Sequence, residues 1–294
     1  MMFDIYEEIT NRIIAEMEKG IIPWQRPWTS SNGAVSHITG RPYSLLNQIL
    51  LLDENDLLDK ENCSKEFLTY KQVQEIGGRV KKGEKSKFVV FWKVYTKEIV
   101  TKDGEKKVES IPLLKYYNVF EVNQCENISH KWSKEKRADL QTVEEAENVV
   151  KNYFDREKCK LFIRESDKAF YAPLTDSVCV PKLSQYDIEA EYYSTLFHEM
   201  VHSTGHKTRL NRLYDWKPKS QEYAKEELVA ELGSIFLLNK TNIDCKKAFK
   251  NSVGYLQGWS RALKEDKKMF VSAASKAEKA VNYIINGKEQ ENVD

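Results

Sequence analysis

Apolar residues at Ile5, Ile9, Ile13 and Met17 recur four apart with acids between them, and Gly20 follows, so the spacing predicts an amphipathic helix over residues 4–19. The next stretch, IIPWQRPWTSSNGAVSHITGRPYS, is rich in Pro, Gly, Ser and aromatic residues and predicts an ordered loop. NQILLLDENDLL predicts a short helix. β-Branched and aromatic residues then dominate from Phe88 to Tyr95 and from Leu113 to Val122, on either side of a Lys-Asp-Gly-Glu turn, which predicts a hairpin or meander. A charged stretch without apolar period, HKWSKEKRADLQ, separates this region from a predicted helix, TVEEAENVVKNYF, and two predicted strands, KLFIRES and FYAPLTDSVCVP. Ser184 and Asp187 resemble a capping box opening a further helix, and Gly205 is placed to close it in a left-handed turn. From Ser220 to about Ile285 the pattern is helical almost throughout.

This order predicts an α+β protein of two domains, residues 1–130 and 142–294, joined by a linker at 131–141. At 294 residues the chain exceeds the usual size of one core, and each half is expected to be able to fold by itself. A composition 41% hydrophobic and 31% charged supports packed cores rather than disorder. The 5 cysteines are widely spaced and form no CxxC pair, and neither a signal peptide nor a membrane-length apolar run is present, so a reduced, cytoplasmic protein is expected.

The helix ending near Gly205 contains HEMVH. His198 and His202 stand four apart and so share a helix face, where two imidazoles can grip one ion. Glu199, next to the first of them, is placed to act as general base for a water activated by that ion. Coincidental spacing on a helix is the bland alternative, which the helical context weakens. A catalytic zinc usually takes three protein ligands. Gly205 fits the metzincin pattern, but Thr208 stands where that pattern needs histidine. The helical segment AKEELVAELGSIFLL instead offers Glu227 as third ligand, with Glu231 four residues on as an acceptor orienting a ligand histidine, as in a gluzincin. Glu226, about 100° away on that helix, and His206 are the rivals, and a solvated face is the ordinary fate of such carboxylates. One zinc ion is expected, with manganese or cobalt as other divalent candidates. Hydrolysis of a peptide or protein substrate would follow, with Tyr171, Tyr192 and Tyr214 as candidates to stabilise the oxyanion.

The formal net charge is only +1, yet from Arg79 to Lys97 seven cations face one acid, Glu84, for a local charge of +6. Arg79, Lys81, Lys82, Lys85 and Lys87 in this cluster, together with Trp24, Arg26, Trp28, Arg41 and Tyr43 upstream, combine cations with rings, as single-stranded nucleic acid requires. A solvated lysine run and a satellite aromatic core form the competing reading.

The order of WQRPW, GRPYSLLNQILL, FLTYKQVQEIGGRVKKGEK, VVFWK, YYNVFEVNQ, FYAPLTDSVCVP, YYSTLFHEMVHSTGHKTRLNR and AKEELVAELGS resembles ArdC-type antirestriction proteins of conjugative elements over nearly the whole chain. The resemblance implies an N-terminal domain that binds single-stranded DNA without sequence preference and a C-terminal zincin-like metallopeptidase domain. It also implies a role in shielding incoming plasmid DNA from restriction. The family's metal motif falls on His198, Glu199 and His202, with Glu227 on the downstream helix. Two other functions compete: DNA binding with a non-catalytic metal site, and a cytosolic zinc peptidase that binds no DNA.

Overall fold

The computed structural model describes residues 4–18, 33–52, 65–100, 106–132, 142–213, 221–244 and 253–287. Helix α1 (Ile5–Glu18) buries Ile5, Ile9, Ile13 and Met17, the four positions that the period selects. Asp4 caps it, its carboxylate accepting from the Tyr6 amide at 3.0 Å. After strand β1 (Ala34–Ser36) and helix α2 (Leu45–Leu51), strand β2 (Lys65–Thr69) leads into helix α3 (Tyr70–Glu75) through a Thr69/Gln72 capping box. Short strands β3 (Arg79–Val80) and β6 (Cys125–Glu126) pair with each other. Between them lie two long strands, β4 (Lys87–Val100) and β5 (Lys106–Glu121). The four-stranded sheet runs β1-β2-β5-β4, with β1 and β2 parallel and the other pairs antiparallel. The hairpin of the sequence reading is present, and it is longer than the runs that predict it.

The second half begins with α4 (Thr142–Arg156), followed by a three-stranded sheet in the order β7-β9-β8, formed by β7 (Lys160–Arg164), β8 (Phe170–Ala172) and β9 (Ser177–Pro181). FYAPLTDSVCVP is therefore a hairpin rather than one strand. Asp176 turns it at φ 46° and fixes the turn by accepting from the Tyr171 hydroxyl at 2.8 Å. Helices α5 (Glu189–Thr204), α6 (Gln221–Lys240), α7 (Val253–Glu265) and α8 (Met269–Asn286) complete the chain. α6 is apolar nearly all round because α5 and α8 both pack on it, and Leu228, Val229, Leu232, Ile235 and Leu237 are buried.

Two details of α5 correct the sequence reading. The Ser184–Asp187 region forms a short 3-10 turn, and α5 starts at Glu189 behind Ile188, which makes no side-chain cap. Gly205 ends α5 with φ −74°, a right-handed conformation open to any residue. Packing demands its glycine instead: a Cβ there would stand 2.7 Å from the Leu213 side chain and 3.1 Å from the His202 carbonyl oxygen.

One hydrophobic cluster runs through both halves, from Ile5 in α1 to Ile284 in α8. Polar contacts accompany it: the Thr10 hydroxyl donates to the Lys267 carbonyl at 2.7 Å, and Lys264 pairs with Glu18 at 3.0 Å. A second, small cluster of Leu68, Val73, Val122 and Cys125 holds α3 to the end of β5. Among the described residues no helix is long and apolar enough to cross a membrane.

Candidate metal centre

His198 and His202 project from one side of α5 toward α6, and the crossing of these helices is unusually close. Gly233 sets it: a Cβ at that position would lie 2.7 Å from Cγ2 of Val201. Ser234 pins the same crossing, its hydroxyl donating to the Ser194 carbonyl at 2.8 Å. Two turns earlier on α6, the approach brings Glu227 against the histidine pair. Nε2 of His198 and Nε2 of His202 are 3.1 Å apart, and each lies 3.4 Å from an oxygen of Glu227. The two 3.4 Å contacts go to different oxygens, Oε2 toward His198 and Oε1 toward His202, so the carboxylate spans the histidine pair, and one ligand atom from each of the three residues lies within 4.8 Å of the others. This trio is the group of metal-ligating side chains that converges among the described residues.

The surrounding charges favour a cation. Burial alone would lower the His202 pKa, but hydrogen bonding to Glu226 and Glu227, with the charge of Glu199, outweighs it and pushes the pKa up to about 10. Burial would likewise raise Glu227, yet the two histidines hold its carboxyl far below the usual range. Two imidazoles and an ionised carboxylate thus crowd one point, where a divalent ion can replace the proton that the pair otherwise retains. The His202 side chain is only 7% exposed, whereas His198 is 23% and Glu227 27% exposed, so the site opens to solvent on their side.

Each of the two histidines has an outer carboxylate. Oε1 of Glu226 lies 3.5 Å from Nδ1 of His202, and Oε2 of Glu231 lies 4.0 Å from Nδ1 of His198. Glu226, a rival for third ligand in sequence, therefore faces the other nitrogen of His202 and stays outside the donor trio. Its carboxyl is held below the usual range: burial opposes this, and His202 and Arg212 outweigh burial. His206, the other rival, turns away to hydrogen-bond Thr208 at 2.8 Å. Glu199 is buried beside the trio, and its charge reaches His202 and Tyr186.

Sequence reasoning missed Arg212. It donates to both oxygens of Glu226, at 3.2 and 2.8 Å, and to the Val201 carbonyl at 2.9 Å, tying the loop after α5 to both helices. The only signal in the sequence is a cation shortly after a zincin helix, which has too many innocent explanations to be read. Of the tyrosines considered for the oxyanion, Tyr171 is buried against Asp176 and Arg209, with its hydroxyl engaged there. Tyr192 is buried edge-on against Tyr186 and Tyr193. Tyr214 lies outside the described residues.

The nucleic-acid candidates scatter. Arg79 is paired with Glu126 at 2.6 Å, Lys81 donates to the Asn123 carbonyl at 2.8 Å, and Lys87 donates to the Leu51 carbonyl at 2.6 Å. Tyr43 packs edge-on against Phe67, and burial pushes its hydroxyl up to about 12. Lys82, Lys85 and Arg41 are exposed, whereas Trp24, Arg26 and Trp28 lie outside the described residues.

A helix bearing HEMVH, crossed by a second helix that delivers a glutamate, beside a small mixed sheet, defines a zincin-like metallopeptidase domain. Residues 144–276 match the family of zincin-like metallopeptidases, and residues 3–120 match the N-terminal domain of anti-restriction factor ArdC. The fold is similar to the crystal structures of the antirestriction ArdC protein from plasmid R388. The metal-free form gives a TM-score of 0.72 at 32% identity, covering 96% of this chain and 97% of that one. The Mn(II)-bound form gives 0.73 at 30% identity, covering 99% and 100%. The chain belongs to the ArdC family of antirestriction proteins. It is also 28% identical to the DNA primase TraC of Escherichia coli over 95% of its length, but spans only 20% and 27% of two such primases. It is 27% identical to the uncharacterized protein y4eC of Sinorhizobium fredii, over 96% of this chain and 91% of that protein.

Proposed function

We propose that this antirestriction protein binds single-stranded DNA through its N-terminal half and carries a gluzincin-like zinc peptidase site in its C-terminal half, acting in the cytoplasm. The observation behind the catalytic part is the donor triangle of His198, His202 and Glu227 with Glu199 buried beside it. Manganese in the R388 relative supports a divalent ion, and the donor set of two histidines and one carboxylate favours zinc here. When bound, such an ion supplies Lewis acidity and lowers the pKa of water.

The remaining roles belong to the chain. His198, His202 and Glu227 present three donors toward one point, leaving the solvent side for substrate. Glu226 and Glu231 set their carboxylates 3.5 and 4.0 Å from the outer nitrogens of the ligand rings, where their charge favours a proton on that side and leaves the other nitrogen to face inward. The Glu199 carboxylate takes the proton from the attacking water and returns it to the leaving amine.

Glu199→Gln separates catalysis from binding, because it keeps the ligand set and removes the base. We expect metal content unchanged, with peptide-library cleavage and protection of incoming DNA both lost. Full protection by the variant, with normal metal content, would assign antirestriction to binding and leave hydrolysis without a part in it.

A further inference from the structure

The β4–β5 pair continues well past the body of its sheet. β2 pairs with β5 only at Val119–Glu121, whereas β4 and β5 stay in register from Lys87↔Val119 to Val100↔Lys106. Beyond Val89 the hairpin is therefore a two-stranded ribbon. A bare ribbon of this kind is marginal unless one face is covered. The face carrying Phe88 and Trp92 is partly covered by α1: the Tyr6 ring lies tilted 6.5 Å from Trp92, which stays 45% exposed, and the Arg12 guanidinium lies 5.9 Å from the Phe88 ring.

The opposite face, by the two-residue alternation and the register, carries Phe91, Lys93 and Tyr95 on β4 with Lys115 and Tyr117 on β5. Its base is closed by buried Val89, and beyond that its rings stand half exposed. Phe91 is 46% and Tyr117 48% exposed, their rings edge to face at 5.8 Å. Lys93 and Lys115 both bring their ammonium groups over the Tyr95 ring, at 5.4 and 5.2 Å. Among the described residues neither ammonium has a carboxylate within 4.0 Å, so two like charges converge on one ring without an acid. Each ammonium is held at the ring by cation–π attraction and stays un-neutralised by an acid, which leaves both open to an anion. Beside it stand two ring surfaces large enough to stack on flat aromatic groups.

We infer that this ribbon face, Phe91, Lys93, Tyr95, Lys115 and Tyr117, is where the protein holds single-stranded nucleic acid, with phosphates at the paired lysines and bases on the rings. The inference rests on the DNA-binding reading above and moves it away from the Arg79–Lys87 cluster, several of whose cations are occupied within the fold. The alternation spreads the five side chains over about 20 Å along the strands, at about 3.4 Å per residue, which is enough for a short run of nucleotides rather than one. Nothing on this face is shaped to read a base edge, so binding is tolerant of sequence.

The test uses the full chain and a fluorescein-labelled oligothymidylate, read by fluorescence anisotropy across a salt series. Three double variants are compared: Phe91→Ala/Tyr117→Ala, Lys93→Gln/Lys115→Gln and Lys82→Gln/Lys85→Gln. All six side chains are exposed, so melting curves should match wild type. The ring variant should weaken binding about tenfold or more at fixed salt. Removing the ribbon lysines should flatten the slope of log affinity against log salt by about 1.4, the value for two phosphates on a single strand. Wild-type affinity and slope in both ribbon variants would overturn the inference while leaving DNA binding intact, and would give the face to a protein partner. Loss confined to the Lys82/Lys85 variant would likewise overturn it. Absence of binding by the unmodified protein at low salt would remove the DNA-binding reading itself.

Discussion

Arg212 holds Glu226 in a two-pronged grip, Nε to Oε2 at 3.2 Å and Nη2 to Oε1 at 2.8 Å, while Oε1 of Glu226 lies 3.5 Å from Nδ1 of His202. The guanidinium thus fixes a carboxylate that in turn fixes a ligand ring. Arg212→Lys cannot reproduce the planar fork. It should weaken metal affinity about 10–100-fold, as loss of an outer partner typically does. Competition against a chelating dye measures this directly, and an unchanged constant would reduce Arg212 to a loop fastener.

The charge pattern of the metal-free site has a pH consequence. His202 rises from 6.5 to about 10 on folding, so its contribution to stability is complete below about 6.5 and is lost as pH climbs through 10. Glu227 is depressed below 4.5, so its contribution is present above that pH and is lost in acid. Metal binding must expel the His202 proton, which becomes easier as pH rises. The rise in melting temperature on adding zinc should therefore grow from pH 6 to pH 9. A metal-induced shift that stays constant across that range would mean that His202 is not a ligand.

Gly233 tests the helix crossing that assembles the site. With Val201 Cγ2 2.7 Å from the added methyl, Gly233→Ala must push α6 away from α5. Overpacking of this kind costs roughly 1–3 kcal/mol, although alanine would favour a helix interior by about 1 kcal/mol. We expect a lower melting temperature together with weaker metal binding, because Glu227 moves with its helix. A more stable variant with full metal affinity would show that the approach has slack.

How far the sequence alone could reach depends on how local each feature is. HEMVH is legible because four residues of one helix fix two donors on one face, whatever the rest of the chain does. That Glu227 converges with the two histidines could be anticipated because its helix is long and a catalytic metal of this type takes a third protein ligand. Glu226 is harder to place: its direction around α6 can be computed, but what waits there, Nδ1 of His202 and the guanidinium of Arg212, depends on how two helices and a loop cross. Gly205 misled because glycine has two uses, left-handed backbone and close packing, and a single sequence does not distinguish them. The ribbon face stayed hidden because rings lie on both faces of β4, at Phe88 and Trp92 and at Phe91 and Tyr95. Where α1 meets the ribbon, beside Phe88 and Trp92, is set by tertiary packing.

The central claim is that one divalent ion sits between α5 and α6. A crystal grown with zinc, with anomalous data collected on both sides of the zinc absorption edge, addresses it most directly. The account predicts one strong peak about 2.0–2.2 Å from Nε2 of His198, Nε2 of His202 and a Glu227 carboxylate oxygen. No peak at that point, or a peak elsewhere with these three side chains turned apart, would contradict it.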